Sequence, residues 1–184
     1  MVFDTERGVQ KRLFTNVYNA ESTSSSTLTA FNSDGFTIGT NNIFNTNGST
    51  NCSWTFRKAP GFFDIVTWSG NNTAGRVISH NLGSVPGMII IKSTSSTYEW
   101  VVWHRDLANS EYLYLNTTAA KASSDNYFNN TTPDASGITL SGSGHVNGVG
   151  ESYVAYIFAH DDQSFGTGGD DVLTLLAIGI FMTP

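Results

Sequence analysis

Positive charge is scarce in this chain: nine Lys and Arg stand against 15 Asp and Glu in 184 residues, a formal net charge of −6. Binding to nucleic acid through phosphates requires clustered Lys and Arg, and no such cluster is present. Attraction to an anionic membrane surface is excluded on the same ground. Charged residues of both signs make up only 13%, against roughly 25% in an ordinary soluble domain. A single cysteine, Cys52, rules out an intrachain disulfide, so the core must supply the stability. Its setting, Asn51-Cys52-Ser53-Trp54-Thr55-Phe56, reads as a strand in which the thiol serves as a small buried hydrophobe. No apolar run reaches the roughly 20 residues that a membrane-spanning helix needs. No basic segment followed by an apolar one opens the chain, so no signal peptide is expected.

Gly, Ser, Thr and Asn take the place of the missing charge, and aromatic residues reach 12%. Helical periodicity with caps is absent, although Glu21 to Ser26 and Ala119 to Asp125 are candidates for short helical turns. Short runs rich in β-branched and aromatic residues dominate instead, among them Phe62 to Trp68, Gly87 to Lys92, Glu99 to Trp103, Glu111 to Leu115 and Tyr153 to Phe158. Asn, Gly, Ser and Asp clusters separate them and supply turn chemistry. The pattern predicts an all-β fold, an antiparallel β-sandwich or jelly roll. Around Pro86-Gly87 it predicts a turn leading into a buried strand, with Ile89 and Ile91 on the core side.

The most informative pattern occurs twice. A constant offset of 102 aligns Gly35 with Gly137, Asn45 with Asn147, Gly48 with Gly150, Trp54 with Tyr156 and Phe56 with Phe158. With a two-residue gap, Leu13-Phe14-Thr15-Asn16 falls on Leu113-Tyr114-Leu115-Asn116. Nothing matches Phe63 to Trp100, so the expected organisation is an incomplete first unit at 1–61, a nearly complete second unit at 62–171 and an apolar terminal segment at 172–184. An incomplete unit leaves an apolar face to cover, and together with the apolar terminal segment it predicts a homo-oligomer.

Candidates for chemistry are few. His80 precedes a Gly/Pro turn with no nucleophile motif nearby, and is expected to cap that turn; His104, His145 and His160 lack metal-ligand spacing. The acidic residues Asp161, Asp162, Asp170 and Asp171 flank a glycine-rich loop and are the candidate Ca²⁺ ligands, although their spacing matches no EF-hand. The preferred reading is a solvated loop and no cofactor. Most aromatic residues within strands are expected in the core. Tyr98 and Tyr127 lie in polar loop sequence and are the candidates for exposed stacking against the C–H faces of a glycan.

Thr73-Ala74-Gly75-Arg76-Val77-Ile78-Ser79-His80-Asn81-Leu82-Gly83-Ser84-Val85-Pro86-Gly87-Met88-Ile89-Ile90-Ile91-Lys92 resembles a repeat domain of unknown function found in tail and other virion proteins of marine and cyanobacterial phages. The similarity continues through Tyr112 to Thr117, Tyr153 to Asp162 and, in the earlier copy, Trp54 to Asp64. It implies a non-enzymatic structural or host-adhesion protein located in the virion, with other virion proteins and a host-surface glycan as partners. It carries no catalytic residues to this chain. A lectin-like carbohydrate-binding module is the alternative, and a glycan depolymerase a third reading.

Overall fold

A computed structural model describes residues 1–160. Among these residues the chain is all-β, with antiparallel strands and no helix. Four short strands come first: β1 (Lys11–Arg12), β2 (Ser22–Thr23), β3 (Leu28–Phe31) and β4 (Phe36–Ile38). Then follow β5 (Phe63–Ser69), β6 (Arg76–Ser79), β7 (Pro86–Ser93), β8 (Val101–His104), β9 (Glu111–Tyr114), β10 (Ala122–Ser123), β11 (Gly137–Leu140) and β12 (Ser152–Ala159).

The main sheet has the order β10-β9-β8-β7-β12-β5. Its centre is the β7–β12 pair, the two longest strands, each dense in Ile, Val and aromatic residues that suit a pleated buried surface. β12 is paired on both sides, so that Val154 lies opposite Thr67 on one flank and Lys92 on the other. Pro86, which has no N–H to give, opens β7 opposite Ala159 at a register shift.

Period-two alternation sends neighbouring side chains to opposite faces. On one face Trp68, Ile89, Ile91, Trp103, Ala155 and Ile157 pack against Ile78 of β6 and Ile138 and Leu140 of β11. β6 and β11 pair antiparallel and form a second layer, which makes the arrangement sandwich-like. Ile89 and Ile91 are fully buried, as expected. On the other face Phe63, Ile65, Val154 and Tyr156 pack with Trp100 and with Leu13 from the N-terminal segment. Two further contacts fasten that segment. The Trp100 indole N–H donates to the carbonyls of Phe14 (3.0 Å) and Val17 (3.2 Å). Arg7 sits in a buried network, with Nε 2.6 Å from Asp4 Oδ2 and the Tyr156 hydroxyl donating to the same carboxylate at 2.7 Å.

Several expectations are corrected. The segments read as helical turns contain the short strands β2 and β10, paired with β1 and β9. Residues 51–58 form no strand, and Cys52 is exposed rather than buried. Trp54 and Phe56 therefore do not share the sheet position of Tyr156 and Phe158, which lie within β12. The physical reason is that β12 draws its ladder from β5 and β7, and residues 51–58 have no such flanking strands among the described residues. The apolar segment 172–184 and the acidic residues Asp161, Asp162, Asp170 and Asp171 lie outside the described residues.

Candidate functional site

The turn that follows β7 is built around a lysine. Lys92 is buried, and its ammonium donates to the carbonyls of Ser93 (2.6 Å) and Ser96 (3.1 Å). Burial lowers its pKa to about 8, against the opposing pull of Glu99 and Glu151. The Ser96 N–H donates to Ser93 Oγ (3.1 Å), and the Ser95 hydroxyl bonds Glu151. These bonds tie the polar loop to both central strands, and Tyr98 and Glu99 project from its far end.

A second loop, between β11 and β12, brings His145 to the same place. Ser143 turns the chain, its carbonyl accepting from the N–H groups of Val146 (3.1 Å) and Asn147 (2.7 Å). The Tyr153 hydroxyl donates to Gly144 O at 2.5 Å. A Cβ at Gly144 would come within 2.6 Å of the Tyr98 hydroxyl, so the Tyr98 ring lies close against the backbone of this loop.

The outcome is an aromatic cluster centred on His145. The Tyr98 ring centroid lies 4.5 Å from the imidazole and that of Tyr127 5.3 Å, while Glu99 Oε2 is 3.3 Å from Nε2. Burial lowers the His145 pKa, with Glu99 acting the other way, and Lys92 lowers it further. Tyr112 and Tyr114 pack behind, and the Tyr114 and Tyr127 hydroxyls are 2.6 Å apart. Burial raises the pKa of both Tyr114 and Tyr127, so both stay protonated at neutral pH.

Both stacking candidates thus flank one imidazole, but they differ in access. Tyr98 is half-buried. Tyr127, expected to be exposed, is buried beneath Tyr112, Tyr114 and His145, because strand β9 and the loop between β11 and β12 converge on it. Glu99 and His145 were not singled out by their sequence context. Contact between His145 and Tyr98 spans 47 positions and leaves no local signal. His80 is a buried turn residue: Nε2 lies 3.1 Å from the Asp134 carbonyl, and Nδ1 accepts from the Leu82 N–H at 3.3 Å.

Chemically, the surface pairs a half-buried aromatic ring with a carboxylate and an imidazole, a set that suits stacking plus hydrogen bonding to hydroxyl groups. Among the described residues no three His, Cys, Asp or Glu side chains gather as metal ligands. Two shallow concavities lie elsewhere, one beside His104 and His160 and one beside Arg7 and Glu21. No helix among the described residues is long and apolar enough to cross a membrane.

Fold and site together define an all-β antiparallel protein with a loop-borne aromatic and polar surface. The family profile described as "Domain of unknown function (DUF7483)" matches residues 1–167, and the chain belongs to this family. No curated protein and no solved structure matches it.

Proposed function

We propose that this chain is a non-enzymatic structural and host-adhesion protein of a virion, whose β-scaffold presents the Tyr98, Glu99 and His145 surface to a host-surface glycan. The observation that carries the reading is the convergence of those three side chains at the meeting of two braced loops. Loops held on a rigid sheet are where binding residues concentrate. An aromatic ring beside hydrogen-bonding groups offers a sugar both of the contacts it takes: its C–H face on the ring and its hydroxyls on the polar atoms. The low charge of the chain favours a neutral polyhydroxylated partner over a nucleic acid. Self-association into a homo-oligomer and contact with other virion proteins belong to the same reading, since an adhesive module gains avidity when several copies bind at once.

A lectin-like module that binds through the same surface without a structural role is the second reading, favoured by the same cluster. A glycan array probed with the full chain, alongside an assay for reducing ends released from host polysaccharide, separates the alternatives. Binding without release supports the proposal or the lectin-like reading, and the mass in solution then distinguishes them, an oligomer favouring the first. Release of reducing ends would replace both with a depolymerase. No binding across the array would remove the glycan from the account.

A further inference from the structure

The N-terminal segment repeats a series of the backbone pairings found in the last third of the described chain. The Val2↔Leu13 bridge has its counterpart in Val102↔Leu113, and Arg12↔Ser22 in Tyr112↔Ala122, each displaced by 100 positions. The Ser24 N–H donates to Gln10 O at 2.9 Å, and the Ser124 N–H to Ser110 O at 2.7 Å. Further on the displacement becomes 102. Asn32 N to Gly35 O (2.8 Å) matches Asp134 N to Gly137 O (3.2 Å), and Asn45 N to Asn41 O (3.0 Å) matches Asn147 N to Ser143 O (2.7 Å). Ser49 N to Thr46 O (3.1 Å) matches Glu151 N to Gly148 O (3.2 Å). Gly48 and Gly150 both take the left-handed conformation, at φ 81° and 80°. One pair of bonds spans the change of displacement: Gly39 N to Thr27 O corresponds to Ser141 N to Tyr127 O, its donor moved by 102 and its acceptor by 100.

What differs is the cover. At the end of β11 the N–H and C=O of the Leu140–Ser141 peptide group point to opposite edges: Ser141 N donates to Tyr127 O, while Leu140 O accepts from Gly75 at the edge that β6 fills. The matching residue Gly39 reaches Thr27, so β3 occupies the first edge of β4, and among the described residues no strand lies on the second edge. Phe36 and Ile38 are 38% and 37% exposed, where Ile138 and Leu140 are fully buried. Trp54 is 60% exposed where Tyr156 is 7%. Cys52 is exposed where Val154 is sealed between β5 and β7.

We infer that residues 1–60 are the back half of a second unit, and that their bare edges bind the front half of another unit of this family, a piece resembling β5 to β7. Residues 51–58 become the strand between its first and last strands, as β12 does between β5 and β7. The occupant follows from the correspondence itself, because each bare position in the first copy matches a position that β5, β6 or β7 covers in the second. The inference stands apart from the glycan reading and does not depend on it.

The test uses Cys52, the only thiol in the chain. Residues 62–100 are joined directly in front of Met1, which stands at the position equivalent to Val101, and labelling by Ellman's reagent is timed. In the full chain alone Cys52 reacts promptly at every protein concentration. In the extended chain it reacts at least a hundredfold more slowly, and Ile38→Asp in that chain restores the fast rate. The full chain refolded with a synthetic 62–100 peptide gives the same protection, and serves where the extended chain is insoluble. Unchanged labelling in whichever format is soluble overturns the inference, as does protection that survives Ile38→Asp. Protection of the full chain alone that grows with concentration, with a dimer mass, would assign the face to a second copy and overturn it too.

Discussion

Replacing Arg7 with Met tests how the N-terminal segment is held on the main sheet. The guanidinium is 5% exposed and the Asp4 carboxylate 2%. Arg7 also reaches Glu21 Oε2 (3.1 Å), the Val2 carbonyl (3.2 Å) and the Tyr156 hydroxyl (3.3 Å). Burial on its own would lower the Arg7 pKa, but Tyr156, Asp4 and Glu21 outweigh it and raise it, so the charge is secure. Met fills much of the same volume and supplies no donor. Asp4 keeps the Tyr156 hydroxyl and the Arg7 backbone N–H at 2.9 Å, but loses its counter-charge while remaining buried. Breaking one side of a buried pair costs about 3–5 kcal/mol; with two of the carboxylate's bonds retained, the lower end, about 3 kcal/mol, is expected. The assay is urea unfolding followed by tryptophan fluorescence, read as the change in midpoint at constant slope. Combining Arg7→Met with Asp4→Leu should cost clearly less than the two single changes added together, because the uncompensated charge is gone. A loss below about 0.5 kcal/mol for Arg7→Met, or strict additivity, would refute the network as the fastening. Because the pair is buried, 1 M salt should leave the difference nearly unchanged.

Lys92 makes a pH prediction. Its folded pKa, about 8, lies below its ordinary value, so between pH 8 and 10 the unfolded chain binds more protons and stability rises with pH. Lys92→Met should flatten that rise, seen in urea midpoints across the range; an unchanged slope counts against burial of the amine. Above about pH 10 the trend reverses, because burial raises the Tyr153 pKa to about 12 and its stabilisation is lost once the unfolded tyrosine ionises. Ile89→Asp places a carboxylate at a fully buried site between β8 and β12 and should abolish soluble folding. His80→Ala, which loses one turn bond and one carbonyl contact, should cost about 1–2 kcal/mol and keep the fold, as circular dichroism and the urea midpoint would show.

The strands of the main sheet were legible because a short run of β-branched and aromatic residues is a local signal, as in Ile89 to Ile91. Residues 51–56 carry the same composition and yet form no strand. A strand exists through its neighbours, and that information is not contained in the segment itself. The exposure of Cys52 has the same cause. The short strands β2 and β10 resemble helical turns in sequence because two residues cannot display a period. At the site, Tyr98 was recognisable from its polar loop. Tyr127 sits in equally polar sequence, but its burial depends on Tyr112, Tyr114 and His145 arriving from elsewhere in the chain.

The most direct test of the functional account compares the wild-type chain with Tyr98→Ala for binding to the host-surface glycan identified on the array. Loss of one stacking ring is expected to weaken binding about tenfold or more, while Val149→Ala, at an exposed residue outside the cluster, binds as the wild type does, and both variants keep the wild-type urea midpoint within about 1 kcal/mol. Equal affinity of Tyr98→Ala and the wild type would contradict the assignment of this surface to glycan recognition.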